Sequence, residues 1–462
     1  MRSTWALFAL LAAIPVHGAE DNRPLADRTR RYLTDLVRLE TANPPGNETR
    51  VAEYLKQVAD SFAIPAELLG PDPRRLNFVA RLRGSGKGRP ILLMAHSDVI
   101  PADRGQWTVD PFGAEFRNGY IYGRGAVNAK SLLAAELAVM VEIKRRNLSL
   151  GRDLILLAEA DAEAGSSGIQ WLIQHAWPKI DAEFALTQGG GILETKDGIR
   201  VFQVQTTEKI PTRIVLTAKG TAGYGSVPRP DNAVLHLLRA GVKLSEAEQP
   251  VRLNGNTRRY LGALSKLTEY NLLAPLLPRL LNPATAAAAA NQIRMMNTEL
   301  DSMLRTTVTP TMLNAGLKVN VIPSAAEAQL DVRRLPNETR EEVLARFRQI
   351  INDPAVEITV VAGQPMAAAD PSPRSTALYR DMERAINNIH PRDVLVIPFM
   401  SRGATDGSFL RARGVAVYGA PIFVREAGEY REQANDERIT PKNLEDGVEL
   451  LWQVVREAAR DN

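Results

Sequence analysis

The chain contains no cysteine among its 462 residues, which excludes a disulfide framework, a thiolate metal site and a cysteine nucleophile. Aromatic residues are sparse at 6%, and a net charge of +4 is weak for this length. The basic residues are dispersed among acidic ones, and no Lys/Arg stripe interleaved with aromatics appears, so nucleic acid is excluded as a partner. Beyond the first nineteen residues no segment is apolar enough to span a membrane. A serine-nucleophile elbow is missing too. Gly165-Ser166-Ser167-Gly168 and Gly223-Tyr224-Gly225-Ser226 both depart from the Gly-x-Ser-x-Gly spacing.

What is present describes an exported globular protein of two domains. The hydrophobic fraction of 45% and charged fraction of 24% are those of a chain that folds, and its length exceeds one ordinary core. Residues 1–19 read as a secretory signal: Arg2, an apolar stretch from Trp5 to Val16, then Gly18 and Ala19. The apolar stretch is short for a bilayer, although a retained anchor is the competing account. The mature protein is expected to be secreted or periplasmic, with no membrane association after cleavage.

Helical periodicity over 27–40 stops at Thr41-Ala42-Asn43-Pro44-Pro45-Gly46 and resumes over 48–62. Strand-length apolar runs at 77–82, 90–95 and 153–158 alternate with helices at 131–146 and 167–175, which argues for an α/β layer with a buried sheet. From residue 208 the order becomes strand 212–218, helix 232–244, strands 307–313 and 325–333, helix 340–351 and strand 356–361. That is the β-α-β-β-α-β order of a ferredoxin-like unit, interrupted by a mainly helical insert at 252–305. Helix and strand then alternate again to a final helix at 443–459. The expected organisation is an α/β domain built from residues 20–207 and 366–462, with a smaller α+β domain, 208–365, inserted between them.

The run Ile91 to Ala95 leads directly into His96-Ser97-Asp98. A histidine at the carboxyl end of a buried strand, followed by an aspartate, suits a metal ligand whose far ring nitrogen is oriented by a carboxylate. Taken alone, a strand-end histidine is more often a structural residue. The surrounding text is more specific: His96-Ser97-Asp98-Val99-Ile100-Pro101, Trp107, Asp110-Pro111-Phe112, Gly119, Tyr122-Gly123-Arg124-Gly125-Ala126 and Glu159-Ala160-Asp161 with Ala164-Gly165-Ser166. Gly220-Thr221-Ala222-Gly223, Asn320-Val321-Ile322-Pro323, Asp331 with Arg333 and Pro336, Gly403-Ala404-Thr405-Asp406 and Asn435-Asp436-Glu437-Arg438-Ile439 follow in order. Together these closely resemble the M20 family of dizinc peptidases and amidohydrolases. The resemblance implies a mixed-sheet α/β catalytic domain, with the inserted ferredoxin-like unit acting as a lid that forms a homodimer.

In that family two zinc ions share five ligand positions and a bridging water. Carried over, these positions fall on His96, Asn128, Glu163, Gln188 and Gln433; the general base falls on Ala162 and a lid histidine on Tyr224. Asp98 matches the residue that orients the first histidine. Only His96 and Glu163 remain competent zinc donors, since zinc takes about four imidazole, thiolate or carboxylate donors and a carboxamide has one acceptor atom with which it cannot bridge two cations. Ala162 cannot accept a proton, and a positioned general base is worth about 10² to 10⁴ in rate. The motifs around each loss stay intact.

Asn320, Arg333 and Gly403 match positions near the substrate carboxylate, and the Arg333 fork suits that group. For Arg333 a structural ion pair, and for Asn320 a satisfied strand end, are the competing roles. The expectation is an inactive relative with no zinc cofactor, or only weak zinc, that binds a peptide or N-acyl amino acid. The alternatives are an active or impaired zinc hydrolase using His96, Asp98 and Glu163, and a regulatory subunit that pairs with an active relative.

Overall fold

A computed structural model describes residues 23–361, 369–425 and 431–461. The expected signal at 1–19 and the expected domain boundary at 366 lie outside the described residues. Strands from both ends of the chain build one mixed sheet, ordered Ala66–Leu69, Asn77–Leu82, Arg152–Glu159, Gly88–His96, Phe184–Thr187, Ala416–Gly419, Arg200–Glu208 and Val394–Ser401. The four strands from Arg152–Glu159 to Ala416–Gly419 run parallel to one another. Side chains along them alternate between two buried faces. Ile91, Leu93 and Ala95 join a core with the helices Leu25–Arg38, Lys130–Arg145 and Pro441–Ala459. Leu92 and Met94 point the other way, into a smaller core with Ile169 and Leu172 of the helix Ser167–His175. Burying each such leucine contributes about 1.5–3 kcal/mol, so near-continuous apolar strands are what a doubly covered sheet requires.

The chain passes from Glu208, the last residue of a large-sheet strand, to Ile210–Pro211 in a second sheet. That sheet is antiparallel, ordered Thr307–Ala315, Ala325–Arg334, Ile214–Lys219 and Val356–Val360. The element order and pairing are those of a ferredoxin-like unit. Its inward residues, among them Leu216, Ala328 and Leu330, pack on Leu237 and Leu244 of the helix Ala233–Glu246 and on Phe347 of Arg340–Ile351. The outward side chains stay half exposed. A full capping box, Thr339 with Glu342, starts the second of these helices.

The helical insert interrupts the lid in sequence, yet its core lies elsewhere. Leu261, Leu264, Ile293 and Leu304 pack on Val201, Ile397, Phe399 and Met400 of the large sheet. The lid strands are complete without it, whereas the outer large-sheet strands would expose that apolar face. Buried Lys209 ties the junction together, its Nζ donating to the main-chain oxygens of Ser302 (2.9 Å) and Arg305 (3.0 Å) and to Thr307 Oγ1 (3.0 Å). Among the described residues no helix is long and apolar enough to cross a membrane.

Burial pushes the Lys209 amine down to about 7, against roughly 10.4 when unfolded. Between those values the unfolded chain holds the extra proton, so stability rises with pH. The wild type is therefore expected to gain stability relative to a Lys209→Met variant between about pH 7 and 10. Urea unfolding of both proteins across that window checks it; parallel pH curves would refute it.

Candidate functional site

Three of the parallel strands end at one cleft, the place where an open α/β sheet offers its loops to a ligand. Gly88–His96 finishes on buried His96, Arg152–Glu159 runs into the turn carrying Ala162 and Glu163, and Phe184–Thr187 stops one residue before Gln188. His96 Nδ1 donates to the Asp98 main-chain oxygen at 2.8 Å and lies 3.4 Å from Asp98 Oδ1. Its Nε2 faces Asn128 Oδ1 at 3.0 Å. An acceptor facing each nitrogen favours the protonated ring. Burial works against that charge, but the Asp98 and Glu163 carboxylates outweigh it and hold His96 well above the ordinary histidine value. Burial likewise opposes the charge on Asp98, and its bonds to His96 and Asn43 keep it below the usual carboxylate range.

Asp98 also builds the turn opposite. Its oxygens accept the main-chain N–H groups of Ala162 (3.2 Å) and Glu163 (2.9 Å) and the Asn43 amide (2.8 Å). Asp161, at φ +70°, anchors the same turn. Its carboxylate accepts from Asn43 (3.0 Å), Arg75 (2.8 Å) and the Ser167 N–H (3.1 Å). Gly46 of the Pro-Pro-Gly stop has φ +95°, and a Cβ there would sit 2.6 Å from Arg75 Nε; only glycine lets that guanidinium reach Asp161. On the other side, buried Glu437 accepts the N–H groups of Val127 (2.8 Å) and Asn128 (3.0 Å) and pairs with Arg124 at 2.7 Å. The Asn-Asp-Glu-Arg run thus sets the position of Asn128.

The side chains at the five family ligand positions bond to neighbours. Gln433 Nε2 donates to Glu163 Oε1 at 2.7 Å, Thr187 Oγ1 donates to Gln188 Oε1 at 2.7 Å, and Glu163 Oε1 lies 3.9 Å from His96 Nε2. This donor set of one imidazole, one carboxylate and three carboxamides does not fit a pair of zinc ions, which need several anionic donors and a bridging one. Ala162 lines the cleft without a proton-accepting group. Behind it, Ser166 Oγ donates to Asp406 at 2.6 Å. Burial pushes Asp406 up to about 7, and burial with the Asp406 charge raises its neighbour Glu159 well above the carboxylate range.

The cleft is a cavity of about 390 Å³. Of the residues named from sequence, His96, Asn128, Ala162, Glu163, Gln188, Gln433, Arg333 and Gly403 line it, while Asp98 supports it from behind. Tyr224 and Asn320 differ from expectation, for neither lines it. They sit at a separate two-stranded ribbon, Gly223–Tyr224 against Val321–Ile322, where the Gly225 N–H donates to the Asn320 oxygen at 2.9 Å and Tyr224 is 76% exposed. A ribbon joined to neither sheet carries them away from the cleft. Arg213, Arg402, Arg425 and Glu432 also line the cavity, and sequence reasoning missed them. The only available signal was proximity: Arg402 directly precedes Gly403, and Glu432 directly precedes Gln433. His175, His236 and His390 stay outside it, against Trp171, Asp353 and Phe202 respectively.

The profile of peptidase family M20/M25/M40 matches residues 92–457. The human N-fatty-acyl-amino acid synthase/hydrolase PM20D1 is 28% identical over 97% of this chain and 90% of its own length. In three dimensions the chain is similar to the M20 family metallo-carboxypeptidase Sso-CP2 from Sulfolobus solfataricus. There the TM-score is 0.71 at 19% identity, over 93% of this chain and 99% of that one. It is also similar to the Bacillus subtilis YXEP protein, a dinuclear metal-binding peptidase from the M20 family, at TM-score 0.57 and 14% identity over 94% and 99%.

A raised histidine value means that the ion pair stabilises fully below about pH 6.5 and is lost as pH rises through the higher folded value. NMR titration of the His96 ring is expected to show an imidazolium persisting well above pH 6.5. An Asp98→Asn variant should lower that midpoint and destabilise the fold by about 1–3 kcal/mol. A ring that titrates near 6.5 in the wild type would contradict the arrangement.

Proposed function

The chain belongs to peptidase family M20/M25/M40, and from that premise we propose a member whose cleft binds carboxylate-bearing peptides or N-acyl amino acids without zinc-dependent hydrolysis. The observation that carries this reading is the hydrogen-bonded set His96–Asn128 and Glu163–Gln433, in which side chains at the metal positions bond to one another. With Ala162 at the position of the family's general base, that position offers no proton acceptor for an attacking water. Arg333, whose Nε holds Asp331 at 3.0 and 3.1 Å, lines the cavity, where a ligand carboxylate would pair with it. The retained pair His96 and Glu163, 3.9 Å apart, supports the second reading, an impaired hydrolase that uses a single metal ion.

Export follows from the character of residues 1–19 and is part of the same proposal. So is pairing of two copies through the lid. The edge strand Thr307–Ala315 exposes Met312 and Leu313, each at 61%. The helix Ala233–Glu246, packed beside that strand, turns Leu235, Leu238 and Val242 outward. A long apolar edge invites strand pairing, and a second copy would extend both layers at once.

Zinc-equilibrated, dialysed protein is expected to retain far less than stoichiometric zinc and to release no amino acid from N-acyl amino acids. Combining Asn128→Asp, Ala162→Glu, Gln188→Glu and Gln433→His should restore both properties. Firm zinc binding with turnover in the unmodified protein would sink the proposal and favour the second reading. Sedimentation should show a dimer that Leu313→Lys converts to monomer; a monomeric wild type would remove the lid pairing.

A further inference from the structure

Asp98 and Glu437 hold the half of the cleft that carries the family ligand positions. The other half, where Ser401, Gly403, Ala404 and Thr405 form the wall and Pro211 arrives from the lid, depends on a third buried carboxylate. Glu208 closes the strand Arg200–Glu208, just before the chain enters the lid at Ile210–Pro211, and does not itself line the cavity. Its Oε2 accepts the Thr405 N–H at 2.7 Å, the Thr405 hydroxyl at 2.8 Å and the Gln205 amide at 3.0 Å, while Oε1 accepts from Arg411 Nη2. Four donors suit a group that only accepts; a carboxamide here would turn N–H groups towards one of them. Each partner leads to a different part of the cleft. Thr405 belongs to the wall itself. Gln205 lies beneath the turn after Gln188, where Gly189 has φ +112° and a Cβ would overlap the Gln205 amide. Arg411 ends the short helix Gly407–Arg411 that follows the wall segment. The next residue, Lys209, donates its main-chain N–H to the Ser401 oxygen at 2.9 Å.

We infer that Glu208 is a positioning residue for ligand binding, fixing the 401–405 wall against the Gln188–Gly189 turn and the entry to the lid. The inference rests on the proposed function, since it names what sets the affinity of the same cleft. A ligand is recognised well only when the groups around it are held to within about 0.5 Å, which a loop achieves when a rigid element supports it. Here the support is the strand Arg200–Glu208, whose register pairs Glu208 with Ser401 of the parallel strand Val394–Ser401. Accepting both the N–H and the hydroxyl of Thr405 fixes the backbone and the side chain of that residue together. A buried carboxylate with converging donors also resists displacement, because water does not replace a donor that moves away. The partners of Glu208 are not those of Asp98 or Glu437, so the two halves of the cleft can be perturbed one at a time.

The test combines Glu208→Gln with Arg411→Gln in the full-length protein, because losing one partner alone would strand the other charge in the interior. By calorimetry, affinity for N-acetyl-L-alanine is expected to fall about tenfold or more, and amide exchange over 401–406, read by mass spectrometry, to accelerate. The His96 ring resonance, which depends on Asp98, is expected to stay at its wild-type position. Glu208→Asp keeps the charge but falls one methylene short of spanning Thr405 and Arg411. It should show the same two changes on a smaller scale, and it serves if the double variant does not fold. Wild-type affinity in a folded variant would overturn the inference and leave the proposed function standing. Displacement of the His96 resonance together with the wall would also overturn it, in favour of a purely structural role. If the wild type binds no N-acetyl amino acid the proposed function falls, and exchange over 401–406 then decides: faster exchange supports the positioning role, and unchanged exchange overturns it.

Discussion

One buried carboxylate, Asp98, joins the parts of the cleft that sequence separates. It sits beyond the end of a central parallel strand, 3.4 Å from the His96 ring, and accepts from Asn43 and from the main chain at Ala162 and Glu163. A charge in that position is tolerable because Asn43, two main-chain N–H groups and the His96 ring face it. Losing one donor would leave part of a full negative charge unsolvated. The loop at 41–46, the strand end and the 159–167 turn are consequently held in one relative geometry. Glu437 plays a comparable part for the 124–130 segment through Arg124 and two main-chain N–H groups.

The supports of the cleft are distinct from the side chains that line it, so a lining side chain can differ without loss of the fold. The groups that hold the backbone are Asp98, Asp161, Arg75, Arg124, Glu437 and Glu48, the last accepting from Arg75 at 2.5 Å and from the Asp161 N–H at 3.2 Å. Asn128, Gln188 and Gln433 hang from that frame. At 128 and 188 an amide has nearly the outline of the carboxylate the resemblance implies there, so the supports need not move. Glu163 and His96, the two retained donors, then find partners in Gln433 and Asn128.

The cleft is also a product of domain arrangement. Its floor comes from the ends of parallel strands, but Pro211, Arg213 and Arg333 arrive from the lid, and Arg402 is tethered to the insert through Glu299. The insert, although it interrupts the lid, shares its apolar core with the outer large-sheet strands.

Much of this was legible in the amino-acid order. Strand-length apolar runs at 77–82, 90–95 and 153–158 marked strands that the structure places at Asn77–Leu82, Gly88–His96 and Arg152–Glu159, periodicity and stop residues marked the helices, and the ordered motifs named eight residues that line the cavity. The strand Arg200–Glu208 was not found, because Gln203, Gln205, Thr206 and Thr207 break the apolar pattern while being buried by tertiary neighbours. Arg213, Arg402 and Arg425 carry no local signature, since an arginine on a cavity wall reads like one in solvent. Tyr224 and Asn320 sit on a ribbon whose direction no local pattern specifies. The sequence by itself determined most of the elements, the family and the residue type at each candidate site position, because these depend on residue type and near neighbours. Only the tertiary structure decided which charges face the same space, because that depends on how two sheets and an insert pack across hundreds of residues.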